Sequence, residues 1–384
     1  MMENLKRFYI NGEWVDPISD QTMLVINPAT EEQIGTVALG NARDVDLAVE
    51  AASAAFDQFS QTTKMDRLDL LKSVMVITKR RLEDLAQAMR MEMGAPITMA
   101  RSSQADAAIG HLQGFIDALE EHDERIKLKN GDIMVHEPVG VCGLITPWNW
   151  PINQITLKVL PALATGCTCI LKPSEHTPIS AMIYAEILNE AGYPKGVFNL
   201  INGEGPVVGA ALSRHPDIQM MSFTGSTRAG TAVTCDAADT VKRVTLELGG
   251  KSPNLVFADC DLEDRVNASV QECMFNTGQS CDAPTRLLVE SACYDDVVRI
   301  AKRAAEETEV GDPADEGDHI GPLFDKIQFE RVQRMIKVGI DEGATLLAGG
   351  MGKPDGIDKG WYVKPTIFSD VSNDMRIAQE EIFG

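Results

Sequence analysis

Two residues of this sequence are suited to covalent chemistry at a carbonyl: Cys281 and Glu247. Cys281 closes the run Asn276-Thr277-Gly278-Gln279-Ser280-Cys281, and Glu247 stands between a β-branched run and the turn Gly249-Gly250. A thiolate nucleophile and a carboxylate base are the minimum set for forming a thioester and then hydrolysing it. They lie far apart along the chain, so only the fold can join them.

Other polar residues have two readings each. Asn149, in Thr146-Pro147-Trp148-Asn149-Trp150-Pro151, is either a local turn residue or an amide donor to a developing oxyanion. Lys172 and Glu175, in Leu171-Lys172-Pro173-Ser174-Glu175, are either surface charges or a grip on a ribose. Gly225-Ser226 opens a helix and offers backbone N–H groups to a phosphate. Neither that stretch nor Gly203-Glu204-Gly205 has the spacing of the ordinary dinucleotide fingerprint. The methionines Met89, Met91 and Met93 read as core filler, and His111, His122 and His136 show no metal-ligand spacing.

The elements that position these residues follow from periodicity. Phe8-Tyr9-Ile10 and Trp14-Val15 flank Asn11-Gly12, a hairpin signal. Apolar residues at three and four spacing predict helices over 41–59, 64–93 and 99–121, the second ended by Gly94 and Pro96. From residue 132 the period changes. Strands are predicted at 133–135, 141–146, 168–172, 197–201, 218–224 and 243–247, with helices at 152–165, 178–191, 206–213 and 228–238. Such alternation gives a parallel, doubly wound sheet, which binds ligands at the carboxyl ends of its strands. Trp148, Asn149, Lys172, Glu175, Gly225, Ser226 and Glu247 all fall there. A second α/β unit follows Gly250, with strands at 255–257, 285–290 and 361–368 and helices at 262–275, 294–308 and 324–341.

The chain has 384 residues, too many for one core. Its net charge of −22 argues against nucleic acid and anionic membrane surfaces as partners. No apolar run approaches the roughly 20 residues of a membrane span. Its eight cysteines form no CxxC pair, as expected of buried thiols in a reducing cytoplasm.

Six segments in order, TPWNWP (146–151), LKPSE (171–175), FTGST (223–227), LELGGKSP (246–253), FNTGQSC (275–281) and EEIFG (380–384), closely resemble the aldehyde dehydrogenase superfamily. The resemblance implies an α/β protein with a Rossmann-like NAD-binding domain (1–117 and 139–247), a bridging or oligomerisation hairpin (118–138) and a catalytic domain (248–384). It implies Cys281 as nucleophile, Asn149 with the Cys281 N–H as oxyanion hole, Glu247 as the base that activates water, and Lys158 in proton relay. Cofactor contacts fall on Thr146, Pro147, Trp148, Lys172, Ser174, Glu175, Gly225, Ser226, Leu248, Glu381 and Phe383. The substrate tunnel falls on Trp150, Gln154, Leu157 and Phe275, whose apolar character suits an aliphatic or aromatic aldehyde. The acidic Glu175 favours NAD over NADP, and no metal is implied.

Family members continue past EEIFG. The resemblance therefore implies a catalytic domain cut short at its C-terminus, weak activity or none in the chain as it stands, and a homodimer or homotetramer for the complete protein. Glu381 and Phe383 are expected to fray. Competing readings are a CoA-acylating semialdehyde dehydrogenase, against which Glu247 counts, an inactive structural relative, and a cofactor-free thioesterase or esterase.

Overall fold

Asn11 and Gly12 adopt φ of 52° and 75°, the two left-handed residues that close a tight turn between β1 (Phe8–Ile10) and β2 (Glu13–Val15). Gly12 also lies against Lys195, where an added Cβ would come within 2.7 Å of Cγ. The computed structural model describes residues 4–384 and divides them into two units. One holds the chain up to Val25, Gln33–Met89 and Ala100–Leu248; the other holds Ile26–Glu32, Arg90–Met99 and Gly249–Gly384.

After β3 (Thr22–Asn27) and β4 (Glu32–Ala38) come the helices α1 (Ala42–Phe59), α2 (Lys64–Arg80), α3 (Leu82–Glu92), α4 (Ile97–Met99) and α5 (Asp106–Glu121). Capping boxes start two of them, Asn41 with Asp44 on α1 and Thr63 with Asp66 on α2. The single helix predicted over 64–93 is interrupted at Arg81, whose N–H is shared between the Ile77 and Thr78 carbonyls at 3.0 Å each. Gly94 follows α3 at φ 84°, and a Cβ there would lie 2.8 Å from Pro28 and Pro322. A π-helical stretch, Ala100–Ala105, joins α4 to α5.

The hairpin β5 (Arg125–Lys127) and β6 (Ile133–Val135) leaves every one of its strand residues exposed. The α/β alternation then runs β7 (Val141–Ile145), α6 (Pro151–Ala164), β8 (Thr168–Lys172), α7 (Pro178–Glu190), β9 (Phe198–Leu200), α8 (Ala210–Arg214), β10 (Met220–Gly225), α9 (Thr227–Ala237), β11 (Arg243–Leu248). The helix predicted over 206–213 is π-helical over Gly205–Gly209 before α8 begins.

The first unit's sheet has the order β11-β10-β7-β8-β9-β1-β2, with β7 to β11 parallel and the β1–β2 hairpin antiparallel at one edge. Strands β7, β8 and β9 are buried throughout, as a sheet covered on both faces requires. On one face the α1 stripe Val45, Ala48, Val49 and Ala52 packs with Val141, Ile145 and Ile170. Its alanines allow close approach, and Thr168 donates its hydroxyl to the Ala52 carbonyl at 2.9 Å. Each buried Val or Ile contributes about 1.5–3 kcal/mol. From β7 the chain steps to β8 and β9, then returns to place β10 on the other side of β7. The switch point lies between β7 and β10, so a crevice opens at their carboxyl ends.

In the second unit β12 (Pro253–Val256) and β13 (Arg286–Val289) pair in parallel, connected through α10 (Leu262–Met274). After α11 (Tyr294–Glu306) and α12 (Lys326–Asp341), β14 (Thr345–Ala348) pairs antiparallel with β15 (Ile367–Ser369), and α13 (Arg376–Gln379) follows. The strand predicted over 361–368 is confined to β15. Trp361 instead bonds loops, donating to Pro28 O and accepting from Leu323 N at 3.0 Å each, and Pro365 has no N–H to give a ladder. Among the described residues no helix is long and apolar enough to cross a membrane.

Candidate active site

At the end of β7 the ladder continues one residue further, Thr146 N–H donating to the Lys172 carbonyl at 3.1 Å. Pro147 and Trp148 turn the chain out of the sheet, and Asn149 is buried before Pro151 opens α6. On that helix Trp150, Gln154 and Leu157 follow at four and three spacing. Leu157 is 40% exposed, unusual for a leucine on a helix otherwise buried along its length.

Lys158, next on α6, is buried and donates to Ser222 Oγ at 2.9 Å. Burial pushes its ammonium down to about 8, against the opposing pull of Glu247. Glu247 is exposed on the edge strand β11, opposite Thr224 of β10. Lys158, Ser222 and Glu247 thus form one electrostatic group in the first unit.

At the end of β8 the buried Lys172 ammonium donates to Pro173 O at 2.8 Å, Gly203 O at 2.7 Å and Glu175 Oε2 at 3.0 Å. An ammonium has three donors, and all three are engaged. Glu175 keeps 20% of its side-chain exposure against 3% for Lys172, so the carboxylate is the member of the pair presented to a ligand. Burial alone would raise the Glu175 pKa. The Lys172 charge and hydrogen bond outweigh it and hold the carboxyl below its ordinary value. Ser174 is buried beside the pair and accepts from His176 N at 3.2 Å.

At the end of β10, Ser226 caps α9 by accepting from Ala229 N at 3.3 Å, and the first turn of that helix offers N–H groups with no intrahelical acceptor. A carboxylate acceptor at β8, a helix N-terminus at β10 and the Thr146–Trp148 turn at β7 together offer acceptors and donors of the kind a ribose and a pyrophosphate need, and the residues fit a dinucleotide.

In the second unit Cys281 is half-buried and lies beyond a strained loop. Asn276, Thr277 and Gly278 have φ of 53°, 57° and 71° in succession. A non-glycine residue there costs about 1–2 kcal/mol, most for the β-branched Thr277. The loop is over-determined. Asn276 Nδ2 donates to Gln279 O at 3.2 Å, Gln279 Nε2 to Asn276 O at 3.1 Å and Thr277 Oγ1 to Gly321 O at 3.0 Å, while Gln279 Oε1 accepts from Phe324 N at 3.0 Å. Phe275, the residue before the strained run, is 36% exposed.

Glu381 and Phe383 do not fray. Gln328 on α12 donates to Ile382 O at 3.0 Å and Phe383 O at 2.6 Å, and Arg331 to Glu381 O at 2.5 Å. Glu381 Oε1 accepts from Gly250 N at 3.3 Å, and the carboxylate lies against the Gly249 α-carbon, where any side chain would collide with it. Burial pushes this carboxyl up. Sequence reasoning missed Gln279, Gln328 and Ser222. Only Gln279 carried a signal, lying inside the FNTGQSC run.

A doubly wound sheet with a crevice at the carboxyl ends of its strands defines an α/β protein of the dinucleotide-binding class. The aldehyde dehydrogenase family model matches residues 14–384. The chain is 51% identical over 384 residues to a 3-succinoylsemialdehyde-pyridine dehydrogenase of Pseudomonas sp., covering 100% of this chain and 80% of that protein. An aldehyde dehydrogenase of Bartonella henselae superposes with a TM-score of 0.98 at 50% identity, covering 100% of this chain and 81% of the other. The Pseudomonas syringae aldehyde dehydrogenase C, a cysteine-to-alanine variant crystallised with NAD+ and octanal, gives 0.97 at 48% identity, covering 99% and 78%. The chain belongs to the aldehyde dehydrogenase family.

Proposed function

We propose that this protein oxidises an apolar aldehyde to the carboxylic acid with NAD, through covalent intermediates on Cys281. The observation that carries the reading is the left-handed Asn276–Gly278 run locked ahead of that cysteine. Backbone strain of this kind persists where surrounding structure enforces it, and it concentrates at reactive sites.

In this reading Cys281 attacks the aldehyde carbon as thiolate. Asn149, with the Cys281 N–H, donates to the oxyanion; one such donor contributes about 3–4 kcal/mol. Bound NAD supplies the acceptor for the hydride that leaves the carbon, and a thioester remains on Cys281. Glu247 takes a proton from water, which attacks the thioester and frees the acid. Lys158, with its ammonium brought down to about 8, passes on the proton that Glu247 receives. Thr146, Pro147, Trp148, Lys172, Ser174, Glu175, Gly225, Ser226 and Leu248 hold the cofactor, joined by Glu381 and Phe383. An ionised Glu175 accepts from a free 2′-hydroxyl and repels a 2′-phosphate, which favours NAD over NADP.

Trp150, Leu157 and Phe275 with one amide, Gln154, suit an aliphatic or aromatic aldehyde. The octanal bound to the P. syringae relative and the pyridine semialdehyde in the name of the Pseudomonas relative support that class. The exposed Ile126, Leu128, Ile133, Met134 and Val135 around the β5–β6 hairpin support subunit pairing through residues 118–138, as a homodimer or homotetramer. Eight free thiols suit a reducing cytoplasm.

The test is absorbance of reduced nicotinamide with a panel of apolar aldehydes, with and without coenzyme A. Reduction independent of coenzyme A is expected. A strict requirement for it would favour the CoA-acylating reading instead.

A further inference from the structure

We infer that Gln104 is a positioning residue for Asn149, setting the direction of its side-chain amide; the inference rests on the oxyanion role proposed above. Gln104 lies on the π-helical stretch Ala100–Ala105 and is fully buried, at 0% exposure. Its Nε2 donates to the backbone carbonyl of Asn149 at 3.1 Å. It comes just before α6, in which Gln154 N donates to Trp150 O at 2.9 Å. The carbonyl is buried with its residue, at 3% exposure, where a main-chain acceptor needs a donor, and Gln104 supplies one.

The bond fixes the peptide plane between Asn149 and Trp150. The planes on either side of Asn149 fix its Cα–Cβ direction and limit the rotamers open to the buried side chain, and so constrain where its amide points. An oxyanion donor acts only when held in place before charge develops. A second contact steadies the same turn from the same segment of chain: His111 Nε2 lies 2.5 Å from Asn153 Oδ1, tying α5 to the first turn of α6. A π turn is a common device for placing a functional side chain that a regular helix would misdirect. Here it presents a buried amide to a main-chain carbonyl rather than to substrate, and Gln104 acts through Asn149.

The experiment compares Q104M, N149A and the double variant with the parent protein. Methionine matches the length of glutamine but cannot donate. The readouts are the first-turnover rate of nicotinamide reduction, the Kd for NAD and the thermal midpoint. Q104M is expected to slow the first turnover about ten-fold, a fraction of the roughly 10²–10³ lost with a whole oxyanion donor, while the Kd for NAD stays unchanged. The double variant is expected to be no slower than N149A, the non-additivity of two residues acting as one unit. If Q104M does not fold, Q104N gives the same readout, since its amide falls one methylene short of the carbonyl. A parental first-turnover rate in the folded Gln104 variant, or multiplying losses in the double variant, would overturn the inference. An N149A enzyme at the parental rate would remove the oxyanion role itself, and this inference with it.

Discussion

Asn276 and Gln279 hydrogen-bond each other reciprocally, side-chain amide to backbone carbonyl in both directions, at 3.2 and 3.1 Å. The clamp encloses Thr277, a β-branched residue at φ 57°. Two left-handed non-glycine residues cost about 1–2 kcal/mol each. Two amide bonds at about 1 kcal/mol each, with the Thr277 hydroxyl bond to Gly321, offset most of that. The loop ahead of Cys281 is therefore held by specific bonds, with little help from intrinsic preference.

Gln279→Leu tests the clamp. It removes the donor to Asn276 and the acceptor for Phe324 N–H, in a side chain that is 0% exposed. The Asn276 carbonyl keeps the Gln279 backbone N–H at 3.1 Å, so it loses one bond of about 1 kcal/mol, while removing the acceptor of the Phe324 N–H costs about 1–3 kcal/mol. Denaturant unfolding should show a loss of about 2–4 kcal/mol, and the rate of Cys281 alkylation should change with it. Parental stability and parental alkylation together would show that the clamp does not hold the loop.

The two chemical steps separate by mutation. Cys281→Ala is expected to abolish oxidation while NAD still binds, as seen by fluorescence titration. Glu247→Gln is expected to keep the first-turnover burst of reduced nicotinamide and lose subsequent turnover, because water then lacks its base. Normal steady-state turnover in Glu247→Gln would sink the assignment of the base.

The sheet was legible in the sequence because parallel strands buried on both faces read as short apolar runs, and 141–145 and 168–172 emerge within a residue of their expected positions, as does the alternately exposed edge strand 243–248. The helical interruptions were not. Arg81 breaks an apolar stripe that continues through it, and the π stretches at 100–105 and 205–209 depend on backbone bonding that side-chain periodicity does not encode. Candidate site residues inside distinctive runs stood out too. Gln328 was hidden, because a glutamine on an amphipathic helix looks the same whether it faces solvent or holds the carbonyls of Ile382 and Phe383. The fraying expected at Glu381 and Phe383 failed for that reason.

Cofactor preference should turn on Glu175. Glu175→Ser removes the ionised carboxylate and leaves the buried Lys172 ammonium without its anion. A 2′-phosphate then meets uncompensated positive charge in place of negative. The ratio of kcat/KM for NADP to that for NAD should rise by at least about ten-fold, the equivalent of 1.4 kcal/mol. Because the bonds from Lys172 to Pro173 and Gly203 remain, the variant should stay folded. An unchanged ratio would show that Glu175 does not meet the ribose.

Lys158 should leave a signature in stability against pH. Its folded pKa is brought down to about 8 by burial, whereas an unfolded lysine titrates near 10.4. Below about pH 8 the ammonium is charged in both states, and the folded state bears the full burial cost, on the order of 3 kcal/mol. Between about 8 and 10.4 the unfolded chain binds a proton that the folded chain does not, so stability rises with pH. Lys158→Met removes that rise. Below pH 8 the variant gains the burial term and loses the bond to Ser222, worth about 1 kcal/mol, so it should be more stable than the parent there. Near pH 10.5 that advantage should disappear. Tyrosines and other lysines also titrate across this range, so the quantity to read is the difference between variant and parent in urea unfolding from pH 7 to 10.5. A difference constant with pH would show that Lys158 carries no depressed pKa. If Lys158 also relays the proton from Glu247, the limb of the kcat–pH profile near 8 should vanish in the same variant.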